Sequence, residues 1–159
     1  MNVDFYERIW MWVAALIIGL FLVMTGVATV AYGIRPPSHV ETIDPTQAMS
    51  DPRFASAGVS VDSATGAVTV TMIGGTFFWL PAEVRVPAGR PVTFRLTSID
   101  VTHGFAIART NVNTMVMPGY VSQLTYTFAA PGEYLMLCHE YCGTGHHGMG
   151  GKVIVEAAP

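Results

Sequence analysis

Charged residues are scarce. Asp, Glu, Lys and Arg make up only 12% of the 159 residues, eight basic against eleven acidic, and a chain this poor in cations lacks the electrostatic footprint that holds nucleic acid. Nucleic acid is therefore excluded as a partner. There is no Cys-x-x-Cys-His run for attaching a haem c. A glycine-rich nucleotide loop and a nucleophile–base signature are also missing, which leaves the chain without the groups for nucleotide chemistry or acyl transfer. No internal repeat or low-complexity stretch occurs, and no helical periodicity is evident beyond residue 51. Cysteine occurs twice, at Cys138 and Cys142. A disulfide could only join that close pair, in a strained ring that would leave the neighbouring His and Met unexplained.

What the chain has in abundance is apolar surface, 51% of its residues, unevenly spread. From Ile9 to Tyr32 the sequence is apolar apart from Thr25, Thr29 and the glycines. Its 24 residues exceed the roughly 20 that cross a hydrocarbon core. Trp10, Trp12 and Tyr32 stand near its ends, where amphipathic rings favour the membrane interface. A cleaved signal peptide is the other reading, but its apolar core would run to only about 7 to 15 residues. Residues 1–35 are thus expected to be a membrane anchor. With Arg8 before the helix and Arg35 after it, the positive-inside rule does not decide the orientation. Residues 36–51 contain Pro36, Pro37 and Pro45 without periodicity and read as a linker.

From residue 52 to 159 the period becomes two. Val68, Val70 and Met72 alternate with threonines, as do Val92, Phe94 and Leu96 with Thr93, Arg95 and Thr97, and Leu124, Tyr126 and Phe128 later. Such alternation marks half-buried strands. Turn signals at Pro87-Ala88-Gly89, Pro118-Gly119 and Pro131-Gly132 space them as in an antiparallel sandwich. The expected class is mainly β, a Greek-key β-sandwich behind one N-terminal transmembrane helix.

The chemistry is concentrated in Cys138-His139-Glu140-Tyr141-Cys142-Gly143-Thr144-Gly145-His146-His147-Gly148-Met149. Thiolate and thioether are soft ligands, and imidazole also tolerates copper(II), so the mixture suits a metal held in two oxidation states. Zinc would gain little from the thioether. A second histidine, His103, follows the Val92–Ser98 strand in Ser98-Ile99-Asp100-Val101-Thr102-His103. A mononuclear blue-copper site has no use for a second cysteine. Two thiolates bridging two coppers do use it, each ion being completed by one histidine and one weak axial donor, Met149 or a loop carbonyl. Asp100 has two readings: it caps the turn, or it orients a ligand histidine. The other eight methionines read as start, core or lipid contacts.

The spacing Cys-x-Glu-x-Cys-x-x-x-His-x-x-Met with an upstream Asp-x-x-His resembles the binuclear CuA site of subunit II of haem–copper cytochrome c oxidases, and the likeness covers the whole chain. The short length and single helix are more similar to the ba3-type (B-family) form than to the two-helix mitochondrial one. The resemblance implies a cupredoxin domain with two Cu per chain and no haem, held by His103, Cys138, the Glu140 main-chain carbonyl, Cys142, His146 and Met149. His139 and His147 stand where no ligand is expected and compete with His146 for its assignment. It implies an electron-transfer module rather than an enzyme by itself, without an oxygen-reducing site of its own. Such a module would take electrons from a cytochrome c or small copper protein and pass them to subunit I of a proton-translocating oxidase of the respiratory chain. His146 would face that subunit. The resemblance also implies a single-pass protein of the cell membrane, with a cytoplasmic N-terminus and a periplasmic or extracellular copper domain.

Gly74-Gly75-Thr76-Phe77-Phe78-Trp79 puts three aromatics in a loop whose place is similar to the aromatic segment near electron entry in subunit II. Phe77 and Trp79 are the entry candidates, with core packing the other reading of either ring. From residue 51 onward seven acids face six bases, so a carrier would dock on an apolar patch rather than by strong electrostatic capture. Three alternatives share parts of the pattern. A nitric oxide reductase subunit with the same copper centre would keep every ligand. A nitrous oxide reductase would need a second, larger copper domain. A membrane-anchored thiol or copper-delivery protein would place its cysteines early, at a helix start in a βαβ pattern.

Overall fold

The computed structural model describes residues 4–31 and 41–157. Tyr32, Arg35, Pro36 and Pro37 lie outside the described residues. The chain divides into two units, up to residue 39 and from residue 40.

The first unit is helix α1, Phe5–Ala31, 27 residues long, or about 40 Å at 1.5 Å per residue. It begins four residues before the expected apolar run, because Asp4 caps it by accepting a bond from the Tyr6 N–H and Glu7 sits favourably in the first turn. Mean hydropathy reaches 2.5 and none of the apolar window is buried. The two threonines inside the run leave nothing unsatisfied, since Thr25 Oγ1 donates to the Phe21 carbonyl and Thr29 Oγ1 to that of Thr25. This is the arrangement a medium without water demands.

The second unit is a two-sheet sandwich. One sheet contains β1 (Gly58–Val61), β2 (Val68–Gly75), β3 (Phe78–Leu80), β5 (Pro91–Ser98) and β8 (Ser122–Thr127). The other runs in the order β4 (Glu83–Pro87), β10 (Gly150–Glu156), β9 (Gly132–Cys138), β6 (His103–Ile107), β7 (Asn113–Val116). The expected alternation is obeyed: Val68, Val70 and Met72 on β2 and Val92, Phe94 and Leu96 on β5 are buried. Register puts Val70 beside Phe94, and Phe94 beside Leu124 on β8. Phe94 touches Phe105 and Phe128 at ring separations of 5.7 and 6.4 Å, joining the sheets through aromatic contacts. The expectation of an antiparallel sandwich needs correcting in two places, since β2 pairs β5 and β4 pairs β10 in parallel. Each partner is reached through intervening strands of the chain, so the alternation of side chains, which is the same for both directions, carried no sign of it.

The expected linker is also corrected from Glu41 onward. Thr42 bridges Tyr120, the Ile43 N–H donates to the Gly119 carbonyl and the Val121 N–H to that of Glu41. Pro45–Gln47 form a 3-10 turn capped by Asp44. Ile43 and Ala48 are buried with Phe54 and Ile73 in a small second core. Glu41 accepts from Arg53 at 2.7 Å and from Arg95 of β5 at 2.6 Å, and Arg95 lies 6.0 Å from the centre of the Phe54 ring. Single buried side chains separated by polar residues give no periodic signal, which is why the segment read as a linker. Phe54→Ala should destabilise the domain by about 3 kcal/mol; a denaturant midpoint unchanged from the parent chain would show that this second core holds nothing in place.

Candidate metal centre

Cys138 ends β9 and Met149 immediately precedes β10, two strands that pair antiparallel from Gly150 against Leu137. The intervening residues must therefore turn back on themselves, and the Cys138 N–H closes the loop on the Met149 carbonyl at 3.2 Å. Within it the His146, Gly148 and Met149 N–H groups bond back to Gly143, Gly145 and His146, forming a 3-10 turn at His146–Gly148 where no helical segment was expected. Gly143 has a φ of +131°, open to glycine and strained for other residues. His103 is the first residue of β6, one strand away from β9, with Phe105 paired to Cys138.

The donor atoms converge. Cys138 Sγ and Cys142 Sγ are 3.9 Å apart, far beyond the roughly 2.05 Å of a disulfide, and both thiols are free. His103 Nδ1 lies 3.9 Å from Cys138 Sγ, His146 Nδ1 3.6 Å from Cys142 Sγ, and Met149 Sδ 3.7 Å from Cys142 Sγ. The Glu140 carbonyl is 3.2 Å from Cys138 Sγ. Two donors bonded at about 2.0–2.3 Å to one tetrahedral ion stand about 3.3–3.8 Å from each other. The observed separations lie in or close to that range, so these donors form a cage of the size an ion needs. His103 is fully buried and Met149, Cys142 and Cys138 nearly so, so an ion here would sit largely out of water, where two thiolates offset its charge. Of the three loop histidines, His146 is the one that approaches a cysteine sulfur; His139 and His147 are exposed, and the His139 ring lies over Gly104 of β6.

Asp100 caps the turn and also contacts His103. Its Oδ1 caps the turn by accepting from the Val101 N–H at 2.6 Å and lies 2.9 Å from His103 Nε2. A carboxylate can only accept, so this contact calls for a proton on Nε2, and Nδ1 faces Cys138. Oδ2 accepts from the Thr76 N–H at 2.6 Å and from its hydroxyl at 2.9 Å. Burial pushes this carboxyl up, but the bonds from His103, Thr76 and Val101 outweigh it and hold it down at about 2. Burial, reinforced by the neighbouring Cys138, pushes the Cys142 thiol up to about 11. A cation entering the cage would have to displace that proton, so its affinity rises with pH.

The two aromatic candidates separate. Trp79 is 2% exposed, its ring 5.9 Å from His103 and 5.2 Å from Phe105, so it packs in the core. Phe77 is 37% exposed and lies against the backbone of Gly143 and Gly145 in the cysteine loop. The aromatic segment is a hairpin rather than a loop, with Phe78–Leu80 paired to β2. Sequence reasoning missed Thr76, whose role exists only through the approach of the hairpin to Asp100, across 24 residues of chain.

Residues 76–158 match the family model for the cytochrome c oxidase subunit II periplasmic domain, and the chain is 36% identical over 154 residues to cytochrome c oxidase subunit 2 of Thermus thermophilus, covering 95% of this chain and 92% of that one. The chain belongs to the cytochrome c oxidase subunit II family. A chain of a haem–copper terminal oxidase dimer solved by cryo-EM superposes with a TM-score of 0.72 at 29% identity, covering 95% of this chain and 99% of that one. The periplasmic domain of subunit II from Bradyrhizobium japonicum shares the fold, with a TM-score of 0.52 at 21% identity over 56% of this chain and 83% of that one. This subunit II is therefore a membrane-anchored protein with a copper-binding, cupredoxin-like domain, and its partner is subunit I of a haem–copper oxidase. Its cysteines lie late in a β-sandwich, not at the helix start that a thioredoxin-like delivery protein would need.

In the metal-free protein, alkylation of Cys142 should climb about tenfold per pH unit from pH 7 to 10; a plateau below pH 9, followed by mass spectrometry, would contradict the raised thiol. Asp100, being depressed, stabilises the fold fully above its ordinary value of 3.8 and loses that contribution as pH falls toward about 2. Asp100→Asn should flatten this acid limb of an unfolding-midpoint profile, and an unaltered limb would assign it to other carboxylates.

Proposed function

We propose that this subunit II carries a binuclear CuA centre, two coppers per chain, held by His103, Cys138, the Glu140 carbonyl, Cys142, His146 and Met149. The observation that carries this reading is the pairing within the cage: two free thiols 3.9 Å apart, Cys138 with His103 and the Glu140 carbonyl beside it, Cys142 with His146 and Met149 beside it. One cysteine, two histidines and a methionine would complete a mononuclear site; the second thiol and the carbonyl are what a second ion requires. A pair of coppers so held would supply a one-electron site, its charge shared between the two ions. The chain's own residues keep the donors fixed, exclude water and hold His103 in one tautomer.

In this reading the subunit accepts single electrons from a cytochrome c or a small copper protein and hands them to subunit I, where oxygen is reduced to water. The half-exposed Phe77, which lies against the ligand loop, and its neighbour Phe78 form an apolar rim, and the near-neutral charge of the domain suits a carrier that docks on such a rim. Entry falls to Phe77 rather than to the buried Trp79. The copper domain is on the periplasmic or outer face and the N-terminus in the cytoplasm, with α1 crossing once.

Copper analysis and electron paramagnetic resonance on the copper-loaded full-length chain test the centre. The expected result is two coppers per chain sharing one unpaired electron. Cys142→Ser should reduce this to a localised signal or to none, and a single localised copper in the unaltered chain would overturn the binuclear assignment.

A further inference from the structure

The tip of the β2–β3 hairpin reaches both sides of the cage. Thr76 binds Asp100 Oδ2 twice, through its N–H and its hydroxyl, and the other oxygen of that carboxylate holds His103 Nε2. Trp79, three residues on, packs its ring edgewise at 5.9 Å from the same imidazole. Between them, Phe77 turns the opposite way and lies on the loop that carries Cys142 and His146. A methyl group at Gly145 would come within 2.7 Å of Phe77 Cε2, and one at Gly143 within 3.0 Å of Cζ. On the inner side Gly74 provides the space for Trp79 to meet His103, since a Cβ there would stand 2.9 Å from the indole and 3.2 Å from the imidazole. Glycine at these points is a requirement of close approach, not of turn geometry alone.

Trp79 is also a costly choice for plain packing. Its Nε1–H is buried without a partner among the described residues, where phenylalanine would fill space with no orphan donor. The hairpin tip contributes none of the ligand atoms, yet it touches one histidine through a carboxylate and a ring, and the other through the loop backbone.

We propose that residues Thr76–Trp79 are a positioning clamp that fixes both histidines of the copper site at once, Thr76 and Trp79 acting on His103 and Phe77 acting on the Cys142–His146 segment. The clamp rests on the binuclear reading above. It gives one short hairpin control over the balance between the two ions, because a displacement on either side alters one half of the ligand set and leaves the other in place. It also joins the exposed rim at Phe77 to the carboxylate that holds the buried imidazole, by covalent continuity over a single residue.

The test uses the full-length chain with Thr76→Val, Phe77→Ala and Leu80→Ala, the last a control on the same hairpin whose side chain is 40% exposed. First, two coppers with a shared electron in the unaltered chain establish the underlying reading. Thr76→Val and Phe77→Ala should then each lose copper to a chelator about tenfold faster or more, with an altered hyperfine pattern and a displaced midpoint potential, while Leu80→Ala keeps the parent values. Thr76→Val and Phe77→Ala retaining the parent spectrum, potential and copper retention while losing only thermal stability would overturn the clamp. If the unaltered chain took up no copper, the binuclear reading would fail, and the clamp would be decided on the metal-free protein: faster alkylation of Cys142 in Phe77→Ala supports it, and a parent-like rate overturns it.

Discussion

The pairing of β9 with β10 is the constraint on which the site depends. Because these strands are hydrogen-bonded neighbours up to Leu137 and Gly150, the chain between Cys138 and Met149 has to leave and return at almost the same point. Donors of metal-binding type could be strung along a loop of this length without ever meeting. Here the Cys138–Met149 bond draws the two ends together, and the tight turns around Gly143 and Gly145 fold the middle over them. The sheet thus crowds the donor atoms together and bears much of the ordering cost of assembling them. That is the physical sense in which a β-sandwich is a good holder for a metal that must change charge without changing shape.

His103 adds a second level of constraint. It opens β6, two residues before the Phe105 that pairs with Cys138 on β9, so its backbone position is set by the sheet. Its ring orientation is not, and the Asp100 carboxylate supplies it. A carboxylate this close to a buried imidazole would ordinarily be expensive to desolvate. It is tolerated because several donors from the hairpin and the turn converge on it and because it keeps contact with solvent.

The legible parts of the sequence were those where chemistry or alternation repeats at short range. The Cys-x-x-x-Cys-x-x-x-His-x-x-Met spacing singled out side chains that the structure brings each within 3.9 Å of another, although it is the β9–β10 pairing that makes them meet. The strands through Val70, Phe94 and Tyr126 followed from period two. What stayed hidden depended on approach between distant segments. Parallel pairing of β2 with β5 leaves the same pattern as antiparallel pairing. Ile43 and Phe54, buried singly among polar residues, made a folded segment look like a tether. The burial of Trp79 and the outward position of Phe77 come from the strand reversal at Thr76–Phe77, which a run of three aromatics cannot disclose. Thr76 carried no signal at all, because nothing in its neighbourhood marks it as a carboxylate partner.

Helix α1 has a consequence of its own. The hydroxyls of Thr25 and Thr29 are already committed to carbonyls one turn earlier, and apart from these residues the apolar stretch between Trp12 and Ala31 offers no side-chain hydrogen-bonding group. A neighbouring transmembrane segment therefore finds no polar handle to grip within the bilayer. Recognition there has to be read from relief: the notches at Gly19 and Gly26, seven residues apart and so roughly on one side of the helix, against the bulk of Phe21, Leu22 and Met24. Assembly through such a surface is a matter of steric fit and lipid displacement, which tolerates exchange of one aliphatic side chain for another of similar volume far better than it tolerates filling a notch.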